Sequence, residues 1–191
     1  MIGRSIDQLR VGESAEISRT VREKDILGFV DSVGDRNPIH SDRTFAATTP
    51  FGEPIAPGIW TAGLISAVMG TRLPGPGGIY VSQDLRFVRP VKLGDTITAR
   101  VEVAEILRKR NRVRLTTICR NQRGEEVLTG EAWVLPPKYP IQYIEKRTEP
   151  VTLSSYMFFP LVFAGHALSF WSRMGTSVVE AAVRGNCGGR V

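Results

Sequence analysis

Gly58-Ile59-Trp60-Thr61-Ala62-Gly63-Leu64-Ile65-Ser66-Ala67-Val68-Met69-Gly70 contains no charged side chain. Folded as a helix it would be roughly 20 Å long with no polar face to present to water, so the run predicts a helix buried on all sides. The small residues Ala62, Gly63, Ser66 and Ala67 allow other backbone to come close, although Gly63 lowers intrinsic helix stability by about 1 kcal/mol. What surrounds such a helix follows directly in the chain. The breaker Pro74-Gly75-Pro76-Gly77-Gly78 ends the pattern, and the hydrophobic spacing then changes from helical to two. Val81, Gln83, Leu85 and Phe87 alternate with Ser82, Asp84, Arg86 and Val88. Ile97, Ala99, Val101 and Val103 alternate with Thr98, Arg100 and Glu102. Val113, Leu115, Thr117 and Cys119 continue the pattern, followed by Val127 to Val134. Four strands are predicted, joined by turn signals at Pro90 to Asp95, around Asn111 and at Asn121 to Gly124. Short connections favour antiparallel pairing, and the simplest architecture is α+β, one buried helix against a curved antiparallel sheet.

On the N-terminal side, Ala15 and Ile17 alternate with polar neighbours in a short strand-like stretch. Ile26, Phe29, Val30 and Val33 then recur at helical spacing within Arg22 to Val33. That helix must stop at Gly34-Asp35-Arg36-Asn37-Pro38-Ile39-His40, because Gly34, Asn37 and Pro38 form turns and Pro38 disfavours a helical Asn37. Ser41 to Thr48 predicts a short turn or helix, and Gly52 to Pro57 irregular chain.

The loop carries the chemistry. Asp35 and His40 lie five residues apart with a turn between them, so both side chains can reach one cavity and hold one water. A carboxylate and an imidazole so placed can take a proton from water and return one elsewhere. Asn37 could orient either partner through its amide. For an arbitrary Asp and His, a turn cap and the start of the next segment would be the ordinary reading.

A chain of 191 residues with 42% hydrophobic and 23% charged content can bury one sizeable core but not two ordinary catalytic domains. The formal charge of +6 concentrates in Arg108-Lys109-Arg110-Asn111-Arg112-Val113-Arg114. No aromatic residue is interleaved there for base stacking, which disfavours nucleic acid. A solvated hairpin tip is the better reading of this patch, and a phosphate-attracting surface for a ligand such as coenzyme A the weaker one. Cys119 and Cys187 are far apart and match neither a zinc set nor a redox motif, so no disulfide framework is implied and a cytoplasmic location fits. Met1 to Thr20 is too charged for a secretory signal.

Phe29, then Gly34-Asp35-x-Asn37-Pro38-Ile39-His40-x-Asp42, then Phe45-Ala46 resemble the signature of the MaoC-like, R-specific enoyl-CoA hydratases. The resemblance continues through Ala46-Ala47-Thr48-Thr49-Pro50-Phe51, Pro54-Ile55, Leu73-Pro74-Gly75, Gly78-Ile79-Tyr80, Phe87, Pro90-Val91 and Gly94-Asp95. It covers roughly residues 5 to 137. It implies the hot-dog fold, an antiparallel sheet wrapped around a central helix. It also implies that Asp35 and His40 activate water for addition to a trans-2-enoyl-CoA, giving the (R)-3-hydroxyacyl-CoA. The backbone N–H of Gly58 would bind the thioester oxygen at the positive end of the helix. Ser66 matches a helix serine near the site in some relatives, although close packing explains a small residue there equally well. Many relatives have histidine before that glycine; this chain has Pro57, which puts in doubt any contact made by the missing imidazole.

No metal or other cofactor is implied; coenzyme A enters as part of the acyl-CoA substrate. The reverse reaction, a 3-hydroxyacyl thioester dehydratase acting on CoA or acyl carrier protein, uses the same groups. A non-catalytic acyl-thioester-binding subunit would not need both Asp35 and His40. A thioesterase is disfavoured because Gly58 to Gly70 holds no carboxylate. An exposed sheet edge and the resemblance both predict a homodimer. Trp60 and Met69 are candidates for limiting acyl length.

The hydratase domain is expected over 1–138, with a C-terminal extension of unknown role over 139–191. Residues 150–172 carry no Asp, Glu, Lys or Arg and are long enough to reach across a bilayer. Pro160, Gly165, His166 and five serines and threonines disfavour membrane contact through this run.

Overall fold

The computed structural model describes residues 1–144. Its elements in chain order are β1 (Ile2–Gly3), β2 (Ser14–Thr20), α1 (Glu23–Val33), α2 (Arg43–Ala47), α3 (Gly58–Thr71), β3 (Ile79–Phe87), β4 (Thr96–Leu107), β5 (Arg112–Arg120), β6 (Glu126–Leu135) and β7 (Ile141–Gln142). Each of the helices and long strands expected from periodicity is present.

Alternation along the strands separates the two faces of the sheet. Ile97, Ala99, Val101 and Val103 of β4 are buried, as are Val113, Leu115, Thr117 and Cys119 of β5, while their neighbours are less covered. The outward face is held by ion pairs instead, including Arg114 with Glu105 and Glu131 and Arg120 with Glu126. Against the inward face lies α3, which buries Trp60, Thr61, Leu64, Ile65, Val68 and Met69. α1 adds Ile26 and Val30, four residues apart on one side of the helix, to the same core. This is the α+β hot-dog arrangement.

Two expectations need correction. First, α3 is not enclosed on all sides by its own chain. Ile59 is 56% exposed, and Gly63, Ser66 and Gly70 follow it on an exposed stripe spaced by three and four residues. A five-stranded sheet curls around one side of a helix and leaves the opposite side bare, and a polar-free sequence cannot report which side that is. Second, β3 and β4 do not form a hairpin. The sheet order is β2-β4-β5-β6-β3, all neighbours antiparallel, so β3 lies at the edge beside β6. The connection between them is tied to the loop ahead of α3: Ala56 N–H donates to Val91 O at 2.8 Å, and Ile55 bridges Lys92. Farther along, Val21 N–H donates to Asp95 O at 2.8 Å. This segment crosses the end of the sheet, whereas turn residues in the sequence report only that the chain bends.

The basic run forms the β4–β5 hairpin tip, with Asn111 in the left-handed region at φ 48°. Arg108 pairs with Asp7 at 3.1 Å. β4, twelve residues long, separates this tip from the loop ahead of α3 by roughly 40 Å of extended chain. β1 pairs with β7, placing Gln142 opposite Ile2, so ordered pairing continues past Lys138. No helix among the described residues is long and apolar enough to cross a membrane. The run 150–172 and Cys187 lie outside the described residues.

Candidate active site

Gly34 ends α1 in the left-handed conformation, φ 75°, while its N–H still donates to Val30 O at 2.8 Å. A side chain other than glycine is strained there, and the reversal turns the following residues toward the start of α3. Local turns then build the loop. Asp35 Oδ1 accepts from Asn37 N–H at 3.2 Å, and Asn37 Oδ1 accepts from Ile39 N–H at 3.3 Å. Asn37 thus caps the short turn Pro38–His40, with Pro38 at its first position. Asp42 caps α2 by accepting from Thr44 and Phe45 N–H at 2.8 and 3.0 Å. Asn37 therefore reaches Asp35 through its backbone, and its side-chain oxygen is used on the turn.

His40 has one ring nitrogen committed. Nδ1 lies 2.8 Å from Ile55 O. A carbonyl only accepts, so Nδ1 carries the hydrogen and the neutral ring presents a lone pair at Nε2. That Nε2 stands 3.7 Å from Asp35 Oδ2. The gap is too long for a direct hydrogen bond, and both atoms remain available to a third group that bridges them from one side. The His40 side chain is 10% exposed and Asp35 40%. Together with Phe29, Val33, Pro57, Gly58 and Ile59 they line a cavity of about 270 Å³.

Gly58 is the first residue of α3, so its amide has no carbonyl one turn back to bond to and lies at the positive end of the helix. Phe87, from the end of β3, packs onto it: a Cβ at Gly58 would stand 2.7 Å from the Phe87 ring. Only glycine lets the ring close over this backbone. On the other side of Gly58 and Ile59 opens a second cavity of about 440 Å³, lined also by Phe51, Ile55, Thr61, Phe87, Arg89 and Val91. Gly58 sits where the two cavities meet.

Residues 9–122 match the family described as MaoC like domain. The chain belongs to the MaoC-like family. It is 51% identical over 132 residues to a 3-hydroxybutyryl-CoA dehydratase of Methylorubrum extorquens, covering 69% of this chain and 83% of that one. It is 44% identical to an (R)-specific enoyl-CoA hydratase of Rhodospirillum rubrum, covering 69% of this chain and 90% of that one. Among solved structures, the unliganded R-hydratase PhaJ1 from Pseudomonas aeruginosa superposes with a TM-score of 0.73 at 44% identity, covering 79% of this chain and 97% of that one.

Of the residues singled out from the sequence, Asp35, His40 and Gly58 of this MaoC-like chain share one cavity. Ser66 does not line it: the residue lies on the exposed stripe of α3, about 12 Å of helix rise beyond Gly58. Trp60 and Met69 are buried, and Trp60 borders a groove between α1 and α3 instead. Thr61 had no sequence signal of a site beyond its place in the helix, and Phe87 none beyond its place in a strand and among the residues that carry the family resemblance. Two other titratable groups stay protonated near neutrality: burial pushes the Cys119 thiol up to about 12 and the Tyr80 hydroxyl likewise to about 12.

Proposed function

We propose that this MaoC-like protein catalyses the reversible hydration of a trans-2-enoyl-CoA to the (R)-3-hydroxyacyl-CoA. The observation that carries the reading is the lone-pair Nε2 of His40 facing the Asp35 carboxylate across 3.7 Å, in a cavity that also contains the start of α3 at Gly58. A water beside the 3.7 Å gap, off the line joining the two atoms, donates one hydrogen to Nε2 and the other to Oδ2. As its oxygen bonds to C3 of the enoyl thioester, one of the pair takes the released proton. The π electrons of C2=C3 shift toward the carbonyl, giving an enolate whose oxygen accepts from Gly58 N–H. C2 then collects a proton from the pair, the carbonyl re-forms, and the site returns to its starting charge. Water and proton come from the same side in this scheme, because Asp35 Oδ2 and His40 Nε2 stand 3.7 Å apart and handle both. Asp35, His40 and the amide are enough for this chemistry, so it needs no metal or nucleotide cofactor.

The same steps run backward dehydrate a 3-hydroxyacyl thioester, and a relative half identical to this chain carries a dehydratase name. Direction follows from the concentrations of substrate and product. The test is loss of enoyl-thioester absorbance with crotonyl-CoA. Asp35→Asn and His40→Gln should each lower kcat by at least about 100-fold, the lower end of a general acid–base contribution. Full activity in both variants would sink the assignment.

The working form is a homodimer in this reading. Unpaired edge strand β3 exposes Ile79, Val81 and Phe87, and the bare stripe of α3 lies exposed in the single chain. A second copy would cover apolar surface that one chain leaves open. The reducing cytoplasm is its compartment. The catalytic unit should include β7, through Gln142, rather than end at Lys138, since β7 holds β1.

A further inference from the structure

Thr61 is 2% exposed, and its hydroxyl is the one buried side-chain nitrogen or oxygen among the described residues that lacks a hydrogen-bond partner. A threonine inside a helix ordinarily satisfies itself on the carbonyl four residues back. Thr71 of the same helix does so, donating to Ala67 O at 2.6 Å. Thr61 does not, although Pro57 O has room for a second donor beside Trp60 N–H at 3.0 Å. Its own carbonyl is engaged on the core side, accepting from the Cys119 thiol at 3.9 Å. Valine would fill the same volume without an orphaned hydroxyl, so an unpaired group in this place is unfavourable for folding alone.

Thr61 is one of the residues lining the larger cavity beside Gly58, whose other lining is apolar except for the exposed Arg89. In the free protein the Thr61 hydroxyl is covered, so a ligand in the cavity reaches it only as the side chain turns about Cα–Cβ. What enters that cavity follows from the order of atoms in the substrate, given the hydratase reading on which this inference rests. C2 and C3 must lie over Asp35 and His40, and the carbonyl oxygen at Gly58 N–H. The sulphur, bonded to the carbonyl carbon, therefore points away from the acid–base pair and across Gly58 into the larger cavity. Beyond sulphur the carrier arm continues with an ethylene link and an amide. Thr61 lies three residues after Gly58, ~4.5 Å along the helix axis, within the reach of that link. An alkyl tail would give the hydroxyl nothing; an amide offers both a donor and an acceptor.

We propose that Thr61 is a substrate-contacting specificity residue whose hydroxyl hydrogen-bonds the first amide of the pantetheine arm. The cavity between Phe51 and Phe87 is the channel for that arm, with Arg89 at its mouth. CoA and acyl carrier protein thioesters share the arm.

The test compares crotonyl-CoA with S-ethyl thiocrotonate, which has the enoyl thioester but no amide, in wild type, Thr61→Val and Thr61→Ser. In T61V the ratio of kcat/KM for crotonyl-CoA over S-ethyl thiocrotonate should fall about tenfold, equivalent to about 1.4 kcal/mol. T61S should restore it, and the thermal midpoint of T61V should not fall below that of wild type. Crotonyl-acyl carrier protein should lose the same factor, while the wild-type kcat/KM values on the two carriers tell which one the site takes. A ratio in T61V within twofold of wild type overturns the proposal. Equal losses on both substrates also overturn it, since they indicate disturbed packing. Because the ratio is read within one variant, it tolerates a partial loss of folded protein, and T61A repeats it should T61V yield none. A wild type that hydrates neither substrate would instead remove the hydratase reading, and this assignment with it.

Discussion

Replacing Gly58 with alanine puts a methyl group 2.7 Å from Phe87 Cε1 and 3.0 Å from Cδ1 and Cζ. Ordinary carbon contacts begin near 3.5 Å, so the ring must move by most of an ångström. Phe87 is 52% exposed and sits at the end of an edge strand, so it can swing outward with little loss of packing. Alanine also favours the helix over glycine by up to about 1 kcal/mol, less at a first-turn position. These terms have opposite sign, and the net effect on stability should lie within about 1 kcal/mol. The effect on chemistry is larger. The methyl and the displaced ring enter the space where the thioester carbonyl must approach the Gly58 amide, and losing one oxyanion donor lowers kcat by about 100-fold or more, some 2.7 kcal/mol of barrier. Gly58→Ala should therefore melt near the wild-type temperature by circular dichroism yet hydrate crotonyl-CoA at about one hundredth of its rate or less. Wild-type turnover in this variant would refute the placement of the carbonyl at Gly58.

Thr61→Val should raise stability by about 1 kcal/mol in thermal or urea unfolding, because it removes a buried hydroxyl that has no partner in the free protein. A loss of stability would mean that the hydroxyl is satisfied after all. Burial raises the Cys119 thiol from an ordinary 9.0 to about 12, so the unfolded chain ionises first. That contribution to stability is complete below about pH 9 and is lost as pH rises toward 12; Cys119→Ala should flatten this part of the stability profile, and an unchanged slope would count against it. For assembly, light scattering should give twice the chain mass at micromolar concentration, and Val81→Lys on the open edge should shift it toward monomer. A wild type that is monomeric at that concentration would rule the dimer out.

How much could be read in advance depended on the range of the interactions. The loop from Gly34 to His40 was legible because each turn in it is made by a neighbour: Gly34 reverses the chain, Asp35 and Asn37 accept from amides two residues on, and Pro38 starts the next turn. The strands were legible for the same reason, since side chains two apart share a face whatever lies across from them. Strand order was not. β3 joins β6 rather than β4 because the Pro90–Asp95 segment is tied to the loop before α3, a contact between stretches more than thirty residues apart.

By itself the sequence determined the helix without a polar face, the alternating strands after it, and an acid–base pair in a turn with the family signature around it. These are properties of local spacing and residue chemistry. Only the tertiary structure decided that α3 keeps one side bare, that Ile55 O orients the His40 ring, that Phe87 closes over Gly58, and that the Thr61 hydroxyl is left without a partner. Each of these depends on which distant groups come within a few ångströms, and periodicity along a chain carries no record of that.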